Sequence, residues 1–254
     1  MSAIFGSVLR RWLPETHLSD QNIEAIRLVT SLLVTFVAVM LSLQLSSVKT
    51  SFDTAYRDRG IDAAELARLD QCLRNYGPEA EGARALLRAY TAAVVASTWP
   101  DEPRPQAVSY PDTAGMPLRG ESATLGALMN KAGVAIDALA PADALHANLA
   151  ARCRAVYGGV QTSRWTVIED VHGPYSALFS NVVTIWLMLV FLSFGLQVPR
   201  KRMAAVVIGI GVVSISSVIF VIQDLERPYG GLFGIPSTTM RDTLADMLRL
   251  DPSP

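Results

Sequence analysis

The sequence predicts an all-α integral membrane protein with three transmembrane helices and an extramembrane helical bundle. Three observations predict it. Leu28–Val48, Gly173–Pro199 and Met203–Gln223 hold no charged side chain, and a hydrocarbon core of about 30 Å takes roughly 20 helical residues to cross. Arg27 and Lys49, His172 and Arg200, and Arg202 and Asp224 bracket these stretches closely. Elsewhere apolar residues recur at helical intervals, and no alternating strand pattern with hairpin turns occurs.

The elements follow in order. Residues 1–27 are an N-terminal segment. Met1–Leu13 is interrupted by Arg10 and Arg11, so no secretory signal is read there. The first span, 28–48, runs on through Lys49 and Asp53 without a stop. It predicts one long helix through Tyr56, Leu66, Leu69 and Leu73 that ends at Gly77, with Pro78 opening the next. Pro78–Thr98 has Leu86, Leu87, Tyr90, Val94 and Val95 on one face. Pro100, Pro103, Pro105, Pro111 and Pro117 then mark a loop. Glu121–Leu139 is a third helix, and a fourth runs from Pro141 toward the second span, with a bend expected at Gly158-Gly159. The extramembrane domain is therefore residues 49–172, an antiparallel bundle. The second span is 173–199, the loop 200–202 and the third span 203–223. The tail, 224–254, breaks at Pro228-Tyr229-Gly230-Gly231 and ends in a short amphipathic helix capped by Thr238 or Thr239.

Short loops rich in Lys and Arg stay in the cytoplasm. Arg200-Lys201-Arg202 is such a loop, so 1–27 is cytoplasmic too and the large domain lies outside, which in a Gram-negative cell is the periplasm. A formal charge of −1 over 254 residues leaves no basic excess for nucleic acid. Cys72 and Cys153 both fall in the outer domain. A disulfide fits an oxidising compartment, but a pair carries no spacing signature, and two buried free thiols are the expectation.

The sharpest pattern is on the first span. Ser31, Thr35, Ala38, Ser42, Ser46, Lys49 and Asp53 recur at steps of three and four. At about 100° per residue they share one narrow face. That face serves either as a hydrated path lined by hydroxyls or as a close-packed interface of small residues. Lys49 and Asp53 at the outer end of the first span, with Asp224 and Glu226 at the outer end of the third, form a candidate interfacial ion-pair group. Ala205 and Gly209 are a small-xxx-small packing pair. Trp12, Trp165 and Trp186 read as interface or core aromatics. Asn181 sits near the outer end of the second span. His17, His146 and His172 have no metal spacing, and no phosphate loop, nucleophile elbow or HExxH occurs. No catalytic residue, metal site or cofactor is therefore assigned.

Several runs resemble the bestrophin-like domain family of bacterial membrane proteins. They are Leu13-Pro14-Glu15-Thr16-His17-Leu18-Ser19-Asp20, Ser46-Ser47-Val48-Lys49-Thr50-Ser51-Phe52-Asp53, Tyr76-Gly77-Pro78-Glu79-Ala80, Trp99-Pro100, Phe194-Gly195-Leu196 with Pro199-Arg200, and Leu225-Glu226-Arg227-Pro228-Tyr229-Gly230-Gly231-Leu232. They occur in order, and the resemblance as a whole runs from about Leu13 to Leu248. Longer members that it resembles carry another spanning helix before the Leu-Pro-Glu run; here Met1–Trp12 precedes it. The resemblance implies a bacterial inner-membrane, multi-pass protein. The function expected is a homo-oligomeric ion channel or pore, with the lipid bilayer and further copies of the chain as partners. The alternative is a non-conducting scaffold or sensor whose external bundle binds a protein partner. No enzyme is expected.

Overall fold

The computed structural model describes residues 20–117, 120–170, 177–197 and 202–249. Among them are the helices α1 (Asp20–Tyr76), α2 (Glu81–Thr98), α3 (Ala123–Asp137), α4 (Ala144–Asp170), α5 (Ala177–Gln197), α6 (Arg202–Leu225) and α7 (Thr238–Leu248), and no strand. Contacts divide the chain into two units, residues 1–50 with 174–226, and residues 51–173 with 227–254. The Leu13–Ser19 run, Trp12, His17, His172 and the basic tip at Arg200 and Lys201 lie outside the described residues, as does the side chain of Ala205.

α1 is a single helix of 57 residues. It holds no proline, and Gly60 does not interrupt it. It stops where the sequence predicts. Gly77 takes φ +119°, a conformation in which a side chain is strained. Pro78, which has no N–H to leave unpaired, then opens a short 3-10 turn, Pro78–Ala80.

In the first unit, Val37 of α1 and Val183, Leu187 and Val190 of α5 are buried together, with Leu33, Met40, Ile215 and Ile219 packed around them. Gln197 Nε2 donates to Thr30 Oγ1 at 2.8 Å, and Phe36 meets Trp186 at 6.2 Å. Early α1 thus meets late α5, so the two helices run antiparallel. The outer surface is apolar: Leu28, Leu32, Leu43, Val207, Ile210 and Val213 are all exposed. Two helices are long and apolar enough to cross a membrane, one over Glu24–Tyr76 and one over Val206–Leu225. Only 17% and 6% of their most apolar windows is buried, so neither resembles the core helix of a water-soluble protein. α5 carries a shorter apolar run, Asn181–Gly195. Two candidate spans therefore stand where the sequence predicts three; residues 173–176 and 198–199 of the remaining one lie outside the described residues.

In the second unit, Leu66, Leu69 and Leu73 of α1 are fully buried against Leu87 and Val95 of α2, Met129 and Ile136 of α3, and Val160 of α4. α7 belongs to this core through Met240 and Met247. α2 packs on α3 and α7, and α3 on α4. Gly133 of α3 admits the Tyr157 ring so closely that a methyl group would collide with it; the Tyr157 hydroxyl donates to the Met129 carbonyl at 3.0 Å. Asp70, 2% exposed, takes Arg84 Nε at 3.0 Å and Arg74 Nη2 at 2.8 Å.

Two sequence expectations change. Cys72 and Cys153 are disulfide-bonded, not free. They lie 81 residues apart, but α1 and α4 bring their Cα atoms to 5.6 Å, inside the range a disulfide spans. The residue preceding α7 is Ser237, not Thr238 or Thr239, and it makes no side-chain cap; its hydroxyl bonds the Glu102 carboxylate instead. α4 continues through Gly158-Gly159 as one helix. Trp165, read as an interface or core aromatic, is 47% exposed, with the Arg164 guanidinium 5.4 Å above its ring.

Replacing both Cys72 and Cys153 by Ser is expected to lower the unfolding free energy by about 2–5 kcal/mol, read by urea titration of the purified protein. Thiol labelling of the denatured, unreduced wild-type chain is expected to modify no cysteine.

Candidate functional site

The described structure builds its most elaborate polar site in the second unit, around Arg59. Arg59 and Asp62 stand three residues apart on α1 and so share a face. Both are almost fully buried, and Arg59 Nη1 donates to Asp62 Oδ2 at 3.3 Å. Ser163 of α4 donates to the other carboxylate oxygen at 3.1 Å. Arg59 Nε donates to the Tyr229 hydroxyl at 3.1 Å. The guanidinium also stacks, 4.8 Å from the Tyr229 ring centroid and 5.8 Å from that of Trp99, which are cation–π distances. The two rings meet edge to face at 5.7 Å. Trp99 is held by its Nε1–H, which donates to the Ile235 carbonyl at 2.8 Å. Three segments distant in sequence thus clamp one cation.

Beside this clamp lies a cavity of about 410 Å³. Arg59, Asp62, Tyr90, Arg164 and Tyr229 form its polar wall; Val94, Leu125, Val167 and Ile168 are among the residues of its apolar wall. Arg164 Nη2 donates to Glu121 Oε1 at 2.9 Å. Burial pushes the Asp62 carboxyl above the usual carboxylate range, against the pull of Arg59 and the Ser163 hydroxyl. Burial also raises the phenols of Tyr90 and Tyr229, so both stay protonated. Burial acts to lower the Arg59 pKa, but Tyr229 and Asp62 outweigh it and Arg59 stays charged. Among the described residues no group of three or more His, Cys, Asp or Glu is placed to hold a metal.

The candidates named from sequence lie elsewhere. Ser31, Thr35, Ala38, Ser42 and Ser46 are all exposed on α1. Ser31 Oγ donates to the Leu28 carbonyl at 2.8 Å and Thr35 Oγ1 to the Ser31 carbonyl at 3.0 Å, which satisfies both hydroxyls within the helix. Lys49 and Asp53 are exposed and Asp224 is half-buried, each engaged in interactions of its own; Glu226 is half-buried just past α6. Gly209 faces open space. The Arg59 site was missed because no motif marks it. Its nearest signals are Trp99-Pro100 and the Arg227–Gly231 run, which the sequence marks as chain breaks and as points of resemblance, not as a site.

The Bestrophin-like domain model matches residues 1–240. No curated protein matches the sequence. The fold is similar to that of a bacterial bestrophin homologue from Klebsiella pneumoniae with an isoleucine-to-threonine mutation: TM-score 0.66, 17% identity, over 98% of this chain and 100% of that one. A leucine-to-threonine mutant of the Klebsiella pneumoniae homologue gives a TM-score of 0.59 at 16% identity, over 98% of each chain. A structure described as a membrane protein with a proline-to-alanine change gives 0.58 at 17% identity, over 97% of this chain and 93% of that one.

Arg59→Met leaves the Asp62 carboxylate buried without its cation and is expected to destabilise the second unit by about 3–5 kcal/mol. Adding Asp62→Asn is expected to recover a large part of that loss in the same urea titration.

Proposed function

The chain belongs to the Bestrophin-like family, and from that premise we propose that it is an integral membrane protein that assembles into a homo-oligomeric ion channel or pore. The observation that carries this reading is the exposed face of α1. Ser31, Thr35, Ala38 and Ser42 lie roughly opposite Leu33, Val37 and Met40, which pack within the chain. Three helices of one chain enclose no hydrated path, so a conducting path needs further copies to complete it. Ser31 and Thr35, whose donors are already satisfied, and the small residues beside them suit either a water-lined axis or a tight interface between copies. Gly209, also open to space, offers a second close-approach surface with Ala205.

α5 serves as the remaining span in this reading. The loop at Arg200-Lys201-Arg202 stays in the cytoplasm, and the second unit is periplasmic. The Cys72–Cys153 disulfide supports that side, because disulfides persist in oxidising compartments. Lys49, Asp53, Asp224 and Glu226 then sit at the outer boundary of the bacterial inner membrane, where opposite charges at one depth offset each other's desolvation. The chain is read as a channel, not an enzyme. The Arg59 cavity favours a second reading, a non-conducting sensor whose external unit binds a partner.

Purified protein in planar bilayers is expected to conduct and to run as an oligomer by native mass. Ser42→Phe is expected to reduce conductance with the oligomer intact. A silent bilayer together with a monomeric mass ends the channel reading; loss of the oligomer without a change in conductance assigns the face to packing.

A further inference from the structure

We propose that the Arg59 cavity binds a small monocarboxylate with an apolar body. The charge of the wall is the first argument. Arg59, Arg164 and Arg227 line the cavity, and among its described lining residues Asp62 is the acid. Guanidinium groups thus outnumber carboxylates in that lining, and Glu121 pairs with Arg164 from outside it. A single carboxylate suits such a wall. A dianion such as phosphate would bring a second charge into largely apolar surroundings, which is costly, and an ammonium would meet repulsion.

The donors are the second argument. Arg59 spends Nε on Tyr229 and Nη1 on Asp62, and no acceptor among the described residues takes its Nη2. That nitrogen is held rigid by the stacking on Tyr229 and Trp99, so its N–H groups are pre-organised for a carboxylate oxygen. The protonated phenols of Tyr90 and Tyr229 line the same wall and are further candidate donors.

The remaining wall sets the rest of the ligand. Val94, Leu125, Val167 and Ile168 offer hydrocarbon surface, not polar partners. A cavity of about 410 Å³ stands near the small end of the 300–1,000 Å³ typical of small-molecule sites. An aromatic ring or short alkyl chain bearing one carboxylate fits this combination. The inference is independent of conduction: a silent channel leaves it untouched, and a conducting one does not establish it.

The test is isothermal titration of the purified full-length chain with benzoate, and with benzamide, benzylammonium and inorganic phosphate at matched ionic strength. Benzoate is expected to bind saturably at one site per chain and to raise the melting temperature; the other three are not. Arg59→Lys keeps the charge but loses the planar fork and is expected to weaken benzoate binding by about tenfold or more. Ser97→Phe decides the matter if Arg59→Lys does not fold. Ser97 is half-buried on the cavity wall and bonds only the carbonyl of Val94, one turn back. Its variant is expected to keep the wild-type melting temperature and to lose benzoate binding. The proposal is overturned if benzoate does not bind, if benzamide or phosphate binds equally well, or if a folded Ser97→Phe variant binds benzoate unchanged.

Discussion

One backbone has to suit two solvents. α1 is a continuous helix whose first part presents apolar side chains on its exposed surface and whose second part presents them to a packed interior. Only a helix satisfies every backbone group internally where water is absent, and the same hydrogen bonding carries it onward without a break. What changes along it is the side-chain pattern. Leu28, Leu32, Val39 and Leu43 are exposed; Leu66, Leu69 and Leu73 are not. The change from one regime to the other brackets Lys49 and Asp53, the first charges after the apolar run. Each unit then gathers its remaining helices on a stretch of α1.

Buried charge gives the second unit its specificity. Asp70 and Asp62 each lie under a few per cent exposed, and each is held by guanidinium groups. Such pairs add little net stability relative to apolar residues of the same size. Their value is that the wrong packing strands a charge. Arg84, which reaches Asp70 from α2, fixes the pairing of that helix with α1. Arg59, which joins Asp62 and Tyr229, fixes the loop after α6.

Much of this architecture is legible in the sequence for simple reasons. Uncharged runs, a Gly-Pro stop and apolar residues three and four apart are local signals, and they located α1, its end at Gly77 and the core positions Leu66, Leu69 and Leu73. The Arg59 site is not legible, because Arg59, Trp99, Arg164 and Tyr229 come from four separate segments and no spacing rule links them. The disulfide failed for the same reason: proximity of Cys72 and Cys153 follows from how α1 and α4 pack. The cap of α7 was misplaced because Ser237 bonds across the unit to Glu102 rather than to its own helix. Local propensity does not weigh a competing tertiary acceptor.

The second unit is discontinuous in the chain, with α5 and α6 inserted between its last two helices. Its interior includes Met240 and Met247, which are synthesised after α5 and α6. Domains usually close as they are made, from the N-terminus onward; this one stays open until both inserted helices have been synthesised. Until then the apolar seat of α7 on α2 has no occupant, and the nascent chain offers that surface to whatever meets it first. The core of this unit is therefore completed only after the inserted helices exist, so its closure depends on their synthesis.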